Sequence, residues 1–373
     1  MFDVEEKIVD LFCTEFNDKI QETESYDEYI SSMKKDSIGR LLQINAIILN
    51  DSSRLSRSII VSSKKKDNVI EDFKLNIKEI YTTILSNVDI SIVEQLNKYL
   101  NNYKKEVFIH NLFDKGFNLH FIQFLKENNI AKIKYSKKEN ELYLYTPLEF
   151  RKLLKEILKD KNIKGICKKN SIYKKNLFDL LSVYGVINLK KLTEIYSGVF
   201  EKIDSKELLN IIKVTSIFDE DIRFTLLDED YLIYSIGFDE DEAIEFYYSI
   251  PDDIGYKIFT KDEYDEIGEG VYHYNFDSFQ ELDCFLEFKL GINEDTSYMF
   301  DQMFTLDYLY SYQIDSNEAK RKLDFNLKKD FSDLNIMDKS FICKSILDIA
   351  RDYPNFNYRG YSYNEARKEF NIK

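Results

Sequence analysis

Three prolines and eleven glycines are all the strong backbone breakers in 373 residues. Proline stops helices and glycine weakens them. A chain this poor in both favours long helices joined by compact connections. Apolar residues make up 44% of the sequence, an ordinary share for a globular protein. The length is enough for several domains with cores of their own.

Periodicity divides the chain into modules. Residues 1–30 read as a helix followed by a polar turn, ETESYD. Apolar residues then recur at three- and four-residue spacings through residue 85, with Ser- and Asn-rich breaks, which predicts a helical N-terminal domain over 1–102. SIVEQLNKYLNNYKKEVFIHNL, starting at Ser91, reads as further helical packing. NLHFIQFLKENNI is an amphipathic helix, and after it Ala131, Ile133 and Tyr135 alternate with Lys132 and Lys134. A polar turn, SKKEN, leads into ELYLY, which alternates again. Helices followed by a β-hairpin are the winged-helix arrangement. The pattern repeats as KKNLFDLLSVYG, KKLTEIYSGVF and SKELLNIIKVTSI, followed by a hairpin, IRFTLLDEDYLIYSIGF, that turns at DED. Gly185 stands at the expected stop of the first of these helices. The expected fold is mainly α with small β-hairpins (α+β). Winged-helix-like units are expected at 103–165 and 166–237, and an acidic, aromatic helical domain at 238–373.

The C-terminal stretch DYPNFNYRGYSYNEARKEF, residues 352–370, reads as a turn between two helices. Pro354 stops the first helix. Gly360 allows the turn, and Ser362 with Glu365 has the spacing of a capping box, so the last helix should begin at Ser362. This segment also carries a resemblance. It is similar to an "N-x-T-P-x-W-x-x-x-G-H-T-P-N-E-L" segment of a group of low-GC bacterial proteins, with Gly360, Asn364 and Glu365 in register. VYGVINLKKLTEIY resembles the "YGV" winged unit of the same group. The basic helical region ending in KKKDNVIEDF resembles the helix-extended-helix units of SAP and Rho N-terminal-like domains, which bind nucleic acid. In that group a zinc-holding SEC-C motif usually follows; its cysteines do not occur here, so the resemblance implies an architecture and no zinc.

Charge is divided sharply along the chain. Residues 1–30 carry −8, 31–190 carry +13, 191–320 carry −23 and 321–373 carry +3, which gives the overall −15. Such asymmetry suggests two surfaces with different partners, or one that masks the other. On the basic side stand Lys132, Lys134, Lys137 and Lys138 of the first wing. Arg151, Lys152, Lys155, Lys159, Lys161, Lys164, Lys168, Lys169, Lys174 and Lys175 follow. Lysines in such numbers meet phosphates, with affinity that falls with salt. The helix before the wing is dominated by apolar and Asn residues and carries no Arg, so weak sequence specificity is expected. On the acidic side, Asp228, Glu229 and Asp230 form the second wing turn, and Asp239, Glu240, Asp241 and Glu242 follow. These suit a basic protein partner.

Catalytic signals are sparse. The histidines are His110, His120 and His273, none with ligand-spaced neighbours, and there is no phosphate-binding glycine loop. Pro251-Asp252 and Glu287-Phe288-Lys289 superficially match a metal-nuclease pattern, which wants its E-x-K on a strand. FQELDCFLEFKL instead reads as a helix. Cys13, Cys167, Cys284 and Cys343 are dispersed and read as reduced, mostly buried thiols. Neither a signal peptide nor a membrane span is visible. The expectation is therefore a cytoplasmic, non-enzymatic binding or regulatory protein without cofactor or metal. It would contact nucleic acid through 121–190 and protein through its acidic region. The alternative expectation is a protein-interaction adaptor or inhibitor that imitates DNA, related to a phage or mobile element. A metal-dependent nuclease is the remote one.

Overall fold

The computed structural model describes residues 25–48, 65–136, 141–218, 221–289, 291, 321 and 334–370. The chain divides into two compact units, 1–172 and 173–373.

In the first unit, helices α1 (Tyr26–Ser31), α2 (Lys35–Ile48), α3 (Lys66–Asn87) and α4 (Ile90–Asn102) lead into a small sheet. The sheet is built from β1 (Glu106–Phe108), β2 (Lys132–Ser136) and β3 (Glu141–Tyr145), with α5 (Ile109–Phe113) and α6 (Leu119–Glu127) between β1 and β2. Helix α7 (Leu148–Leu158) and the first half of α8 (Lys161–Tyr184) complete the unit. The ETESYD segment is not wholly a turn. Ser25 caps α1 in a reciprocal capping box with Glu28, so the helix starts inside it.

The second unit repeats the same order. The rest of α8 is followed by β4 (Val186–Asn188), α9 (Leu189–Val199), α10 (Ser205–Phe218), β5 (Ile222–Leu227) and β6 (Asp230–Ser235). Both sheets are antiparallel, and in each the last strand lies between the other two: β1-β3-β2 and β4-β6-β5. Helix, strand, two helices and hairpin in this strand order is the winged-helix connectivity, present once in each unit. The strands β1 and β4 escape a periodicity reading. Each is three residues long, too short to show alternation, and pairing with β3 or β6 is what makes it a strand.

Beyond this second wing, the chain adds α11 (Glu240–Ser249), α12 (Lys261–Gly268), α13 (Asp277–Cys284), a π-helical turn (Phe285–Lys289), α14 (Ile336–Asp352) and α15 (Tyr363–Phe370). The fold is mainly helical with two small sheets, as the breaker-poor sequence requires. Among the described residues no helix is long and apolar enough to cross a membrane.

Tyrosine supplies much of both cores, and its hydroxyls are placed where a carbonyl or hydroxyl can receive them. In the first unit Tyr29, Phe73, Tyr81, Tyr99, Phe121, Tyr145 and Phe150 are fully buried. Tyr81 donates to the Asn128 carbonyl at 2.7 Å, and Tyr99 pairs with Thr146 at 3.1 Å. In the second unit Leu177, Leu180, Tyr184, Leu192, Tyr196, Ile212, Ile233 and Tyr264 form one core. The Tyr184 hydroxyl donates to the Lys257 carbonyl and meets that of Tyr264.

The aromatic C-terminal loop locks the second unit. Gly185 has φ 64 at the end of α8, and a Cβ there would stand 2.9 Å from the Phe356 ring. Gly360 has φ 88, and its Cβ would stand 2.9 Å from Val183 Cγ1 and 3.1 Å from the Tyr184 ring. The VYGV turn and the YRGYSYNE segment therefore pack directly on one another. Ser362 and Glu365 form the expected capping box at 2.9 and 3.2 Å. Glu365 also receives both bonds of the Lys257 ammonium, at 2.7 and 2.8 Å.

Candidate binding surfaces

On the basic side the structure separates lysines and arginine with internal duties from those facing solvent. Lys132 and Lys134 point to the sheet face shared with Tyr143 and Tyr145. Lys132 lies 4.4 Å from the centre of the Tyr29 ring and bonds Ser32, so it docks α1 on the wing. Lys134 lies 4.0 Å from the Tyr145 ring centre. Lys137 and Lys138 fall outside the described residues.

Arg151 corrects the sequence reading. It is 4% exposed, and its Nη2 donates to the carbonyls of Tyr99 and Leu100 at 3.0 Å and of Tyr103 at 2.6 Å. These carbonyls belong to the last turn of α4 and to its cap residue Tyr103; that of Tyr99 also accepts from the Tyr103 backbone N–H at 3.2 Å, while carbonyls at a helix end generally lack an intrahelical donor. The guanidinium closes that helix end and also stacks on Tyr99, 4.6 Å from the ring centre. Burial pushes its pKa down, opposed by the nearby Tyr99. It is a capping residue and faces no external phosphate.

Lysines at regular spacing remain outside. Helix α7 buries Phe150, Arg151, Leu154, Ile157 and Leu158. This buried stripe turns Lys152 outward and leaves Lys155, three residues on, half-buried at its edge. In α8, Ile163 and Cys167 are buried, while Lys161, Lys164 and Lys168 recur at three and four residues on the exposed side. Lys169 is exposed beside them and is engaged within the chain. Two nearby carboxylates are engaged: Glu156 pairs with Lys78 at 2.5 Å, and Asp160 accepts from the Asn162 backbone at 2.9 Å. Among the described residues no carboxylate pairs with Lys152, Lys155, Lys161, Lys164 or Lys168. In the second unit, by contrast, Lys175 bridges Asp179 and Asp265, Lys257 meets Glu365, and Lys261 meets Asp265. Helix α6, which precedes the first wing, exposes His120, Gln123 and Glu127, with Gln123 bonded to Glu127 at 3.0 Å. It presents little that reads bases.

The acidic side is equally divided. Asp239 and Glu242 form the capping box of α11, and Glu240 accepts from the Thr225 hydroxyl. Asp241 is exposed. Asp228, Glu229 and Asp230 stand elsewhere, on the rim of a groove of about 830 Å³. Its other walls are Asn188 at the end of β4, Lys190 at the start of α9, the end of α11 (Tyr247, Tyr248), Pro251, Asp252 and Arg359. Asp230 is structural, accepting from the backbone N–H of Lys190 at 3.2 Å and of Tyr231 at 2.8 Å. Asp228 sits at φ 53 in the turn and accepts from the Tyr248 hydroxyl at 3.2 Å. Local desolvation and the Asp228 charge raise the Tyr248 pKa, which keeps that hydroxyl a neutral donor. Tyr248 remains 61% exposed. The Arg359 guanidinium donates to the Ile254 carbonyl at 2.6 Å and lies over the Tyr256 ring. Sequence reading missed Tyr247, Tyr248, Lys190 and Arg359 because they come from distant segments; the adjacent tyrosines at a helix end were the available signal.

Other sequence candidates do not assemble. Glu287 and Lys289 lie on the π-helical turn rather than a strand, and Lys289 pairs with Asp338 at 2.5 Å. Among the described residues no three His, Cys, Asp or Glu side chains are grouped to hold a metal. His120 is exposed. Of the described thiols only Cys167 is buried, with Cys343 half-buried and Cys284 exposed. Comparison with family models, curated proteins and solved structures gives no match.

Proposed function

We propose that this chain is a non-enzymatic binding protein whose first unit holds a nucleic-acid backbone through Lys152, Lys155, Lys161, Lys164 and Lys168. One observation carries the reading: these lysines on consecutive helices have no carboxylate partner among the described residues, while Glu156 and Asp160 beside them are engaged elsewhere. Unpaired ammonium groups at helical spacing attract a phosphate backbone and release its counterions on binding. The poverty of α6 in base-reading side chains favours weak sequence preference. The resemblance to nucleic-acid-binding helix-extended-helix units points the same way. So does the winged-helix connectivity, as an analogy of fold. The packing of VYGV on YRGYSYNE supports treating the two motifs that resemble segments of the low-GC bacterial group as one structural unit.

The test uses the full chain and labelled duplex DNA, single-stranded DNA and RNA in fluorescence anisotropy across a salt series. Binding should weaken steeply as salt rises. Changing Lys161, Lys164 and Lys168 to alanine together should lower the slope of log affinity against log salt by about one for each phosphate that the variant no longer neutralises. A folded chain that binds none of the three probes at low salt overturns the proposal, and so does a triple variant with an unchanged slope.

A further inference from the structure

The groove of the second unit has a chemistry opposite to that of the lysine stripes and independent of them. Among the described residues no cation pairs with Glu229 or Asp252, and Asp228 holds only the Tyr248 hydroxyl. The last turn of α11 contains no basic residue, and the chain leaves the helix at Ile250 in extended form. The end of that helix lines the groove through Tyr247, Tyr248, Ser249 and Ile250. The carbonyls there carry the negative end of the helix dipole. Three features thus favour positive charge in one place: free carboxylates, a helix C-terminus and adjacent tyrosine rings, whose faces attract cations. Lys190 and Arg359 provide the only opposing charge on the lining, and Arg359 is held by Ile254 and Tyr256. The volume, about 830 Å³, exceeds what one small ion needs and lies in the range of clefts that take a ligand with several functional groups.

We infer that this groove is a docking site for an arginine-bearing segment of a protein partner, with guanidinium groups seated between Asp228, Glu229 and Asp252 and against Tyr247 and Tyr248. Planar guanidinium suits this lining better than ammonium, because it stacks on an aromatic face while its edge bonds a carboxylate.

The experiment measures binding of a fluorescein-labelled nonapeptide, Gly-Arg-Ser repeated three times, to the full chain by anisotropy. The same peptide with lysine or with glutamate for arginine provides the comparison. Saturable binding is expected in the order arginine, lysine, glutamate. The variant Asp228→Asn, Glu229→Gln, Asp252→Asn should weaken arginine-peptide binding at least tenfold. Tyr248→Phe keeps the ring and should retain most binding, whereas Tyr248→Ala should weaken it severalfold. A control variant, Glu201→Gln, Glu207→Gln, Glu281→Gln, removes equal charge from other exposed sites of this unit and should bind as the parent does. An equal loss in groove and control variants shows only diffuse attraction to an acidic protein and overturns the inference. So does the absence of saturable binding by the parent, or binding that ignores the groove substitutions. None of these results bears on nucleic-acid binding by the first unit.

Discussion

Replacing Arg151 separates its two readings most sharply. Its Nη2 carries two hydrogens, and three carbonyls at 2.6–3.0 Å share them, so the site holds about two charge-assisted bonds. Each such bond contributes ~1.5–3 kcal/mol. Against this stands the cost of a buried cation whose Nη1 has no hydrogen-bond partner. Removing the side chain also abolishes the stacking on Tyr99 and takes the side-chain donor from the Leu100 and Tyr103 carbonyls, while the Tyr99 carbonyl keeps the Tyr103 N–H. Arg151→Ala should therefore destabilise the first unit by about 3 kcal/mol, a shift of roughly 6–12 °C in Tm for a unit of this size. Neighbouring Lys152→Ala should change stability by no more than ~0.5 kcal/mol. Because the chain has 27 tyrosines and no tryptophan, unfolding is best followed by far-ultraviolet circular dichroism together with tyrosine fluorescence, resolving two transitions where the units unfold separately. If Arg151→Ala unfolds with Lys152→Ala and the parent but binds nucleic acid more weakly, the capping argument is wrong and Arg151 belongs to a binding surface.

Further expectations concern the second unit. Gly360→Ala places a Cβ 2.9 Å from Val183 Cγ1 at φ 88, and should destabilise that unit by about 2 kcal/mol or more through strain and overpacking; unchanged urea unfolding would refute the close packing of the C-terminal loop. Asp179 is buried against Gly268, and burial lifts its pKa from 3.8 to about 6 despite its bond to Lys175. The folded state then holds the proton more tightly than the unfolded one between pH 4 and 6. This group's contribution to stability is therefore favourable at low pH and is lost as pH rises through 6. Asp179→Asn should remove that dependence, as read from unfolding midpoints between pH 4 and 7.5; identical pH profiles would refute it.

Much of the architecture was legible in the sequence. Each wing hairpin followed from alternation, and the last helix from Ser362 and Glu365, because these signals lie within a few residues of the structure they produce. The short strands β1 and β4 were not legible, because a three-residue strand is defined by its partner. The start of α1 was misplaced because the Ser25–Glu28 capping box lies inside a polar run that also suits a turn.

The sites show the same limit more strongly. The sequence by itself determined that the chain would be helical, breaker-poor and split between a basic and an acidic half. Those properties sum over composition and local spacing. Only the tertiary structure decided which charges face outward. Arg151 and Lys152 are adjacent and both basic, yet the packing of α7 sends one into the end of α4 and the other into solvent. Asp228 and Asp239 both belong to acidic runs, yet one rims a groove and the other caps a helix. A charge is available for binding only if no distant carbonyl, ring or carboxylate has already engaged it, and that is settled by what the fold brings alongside.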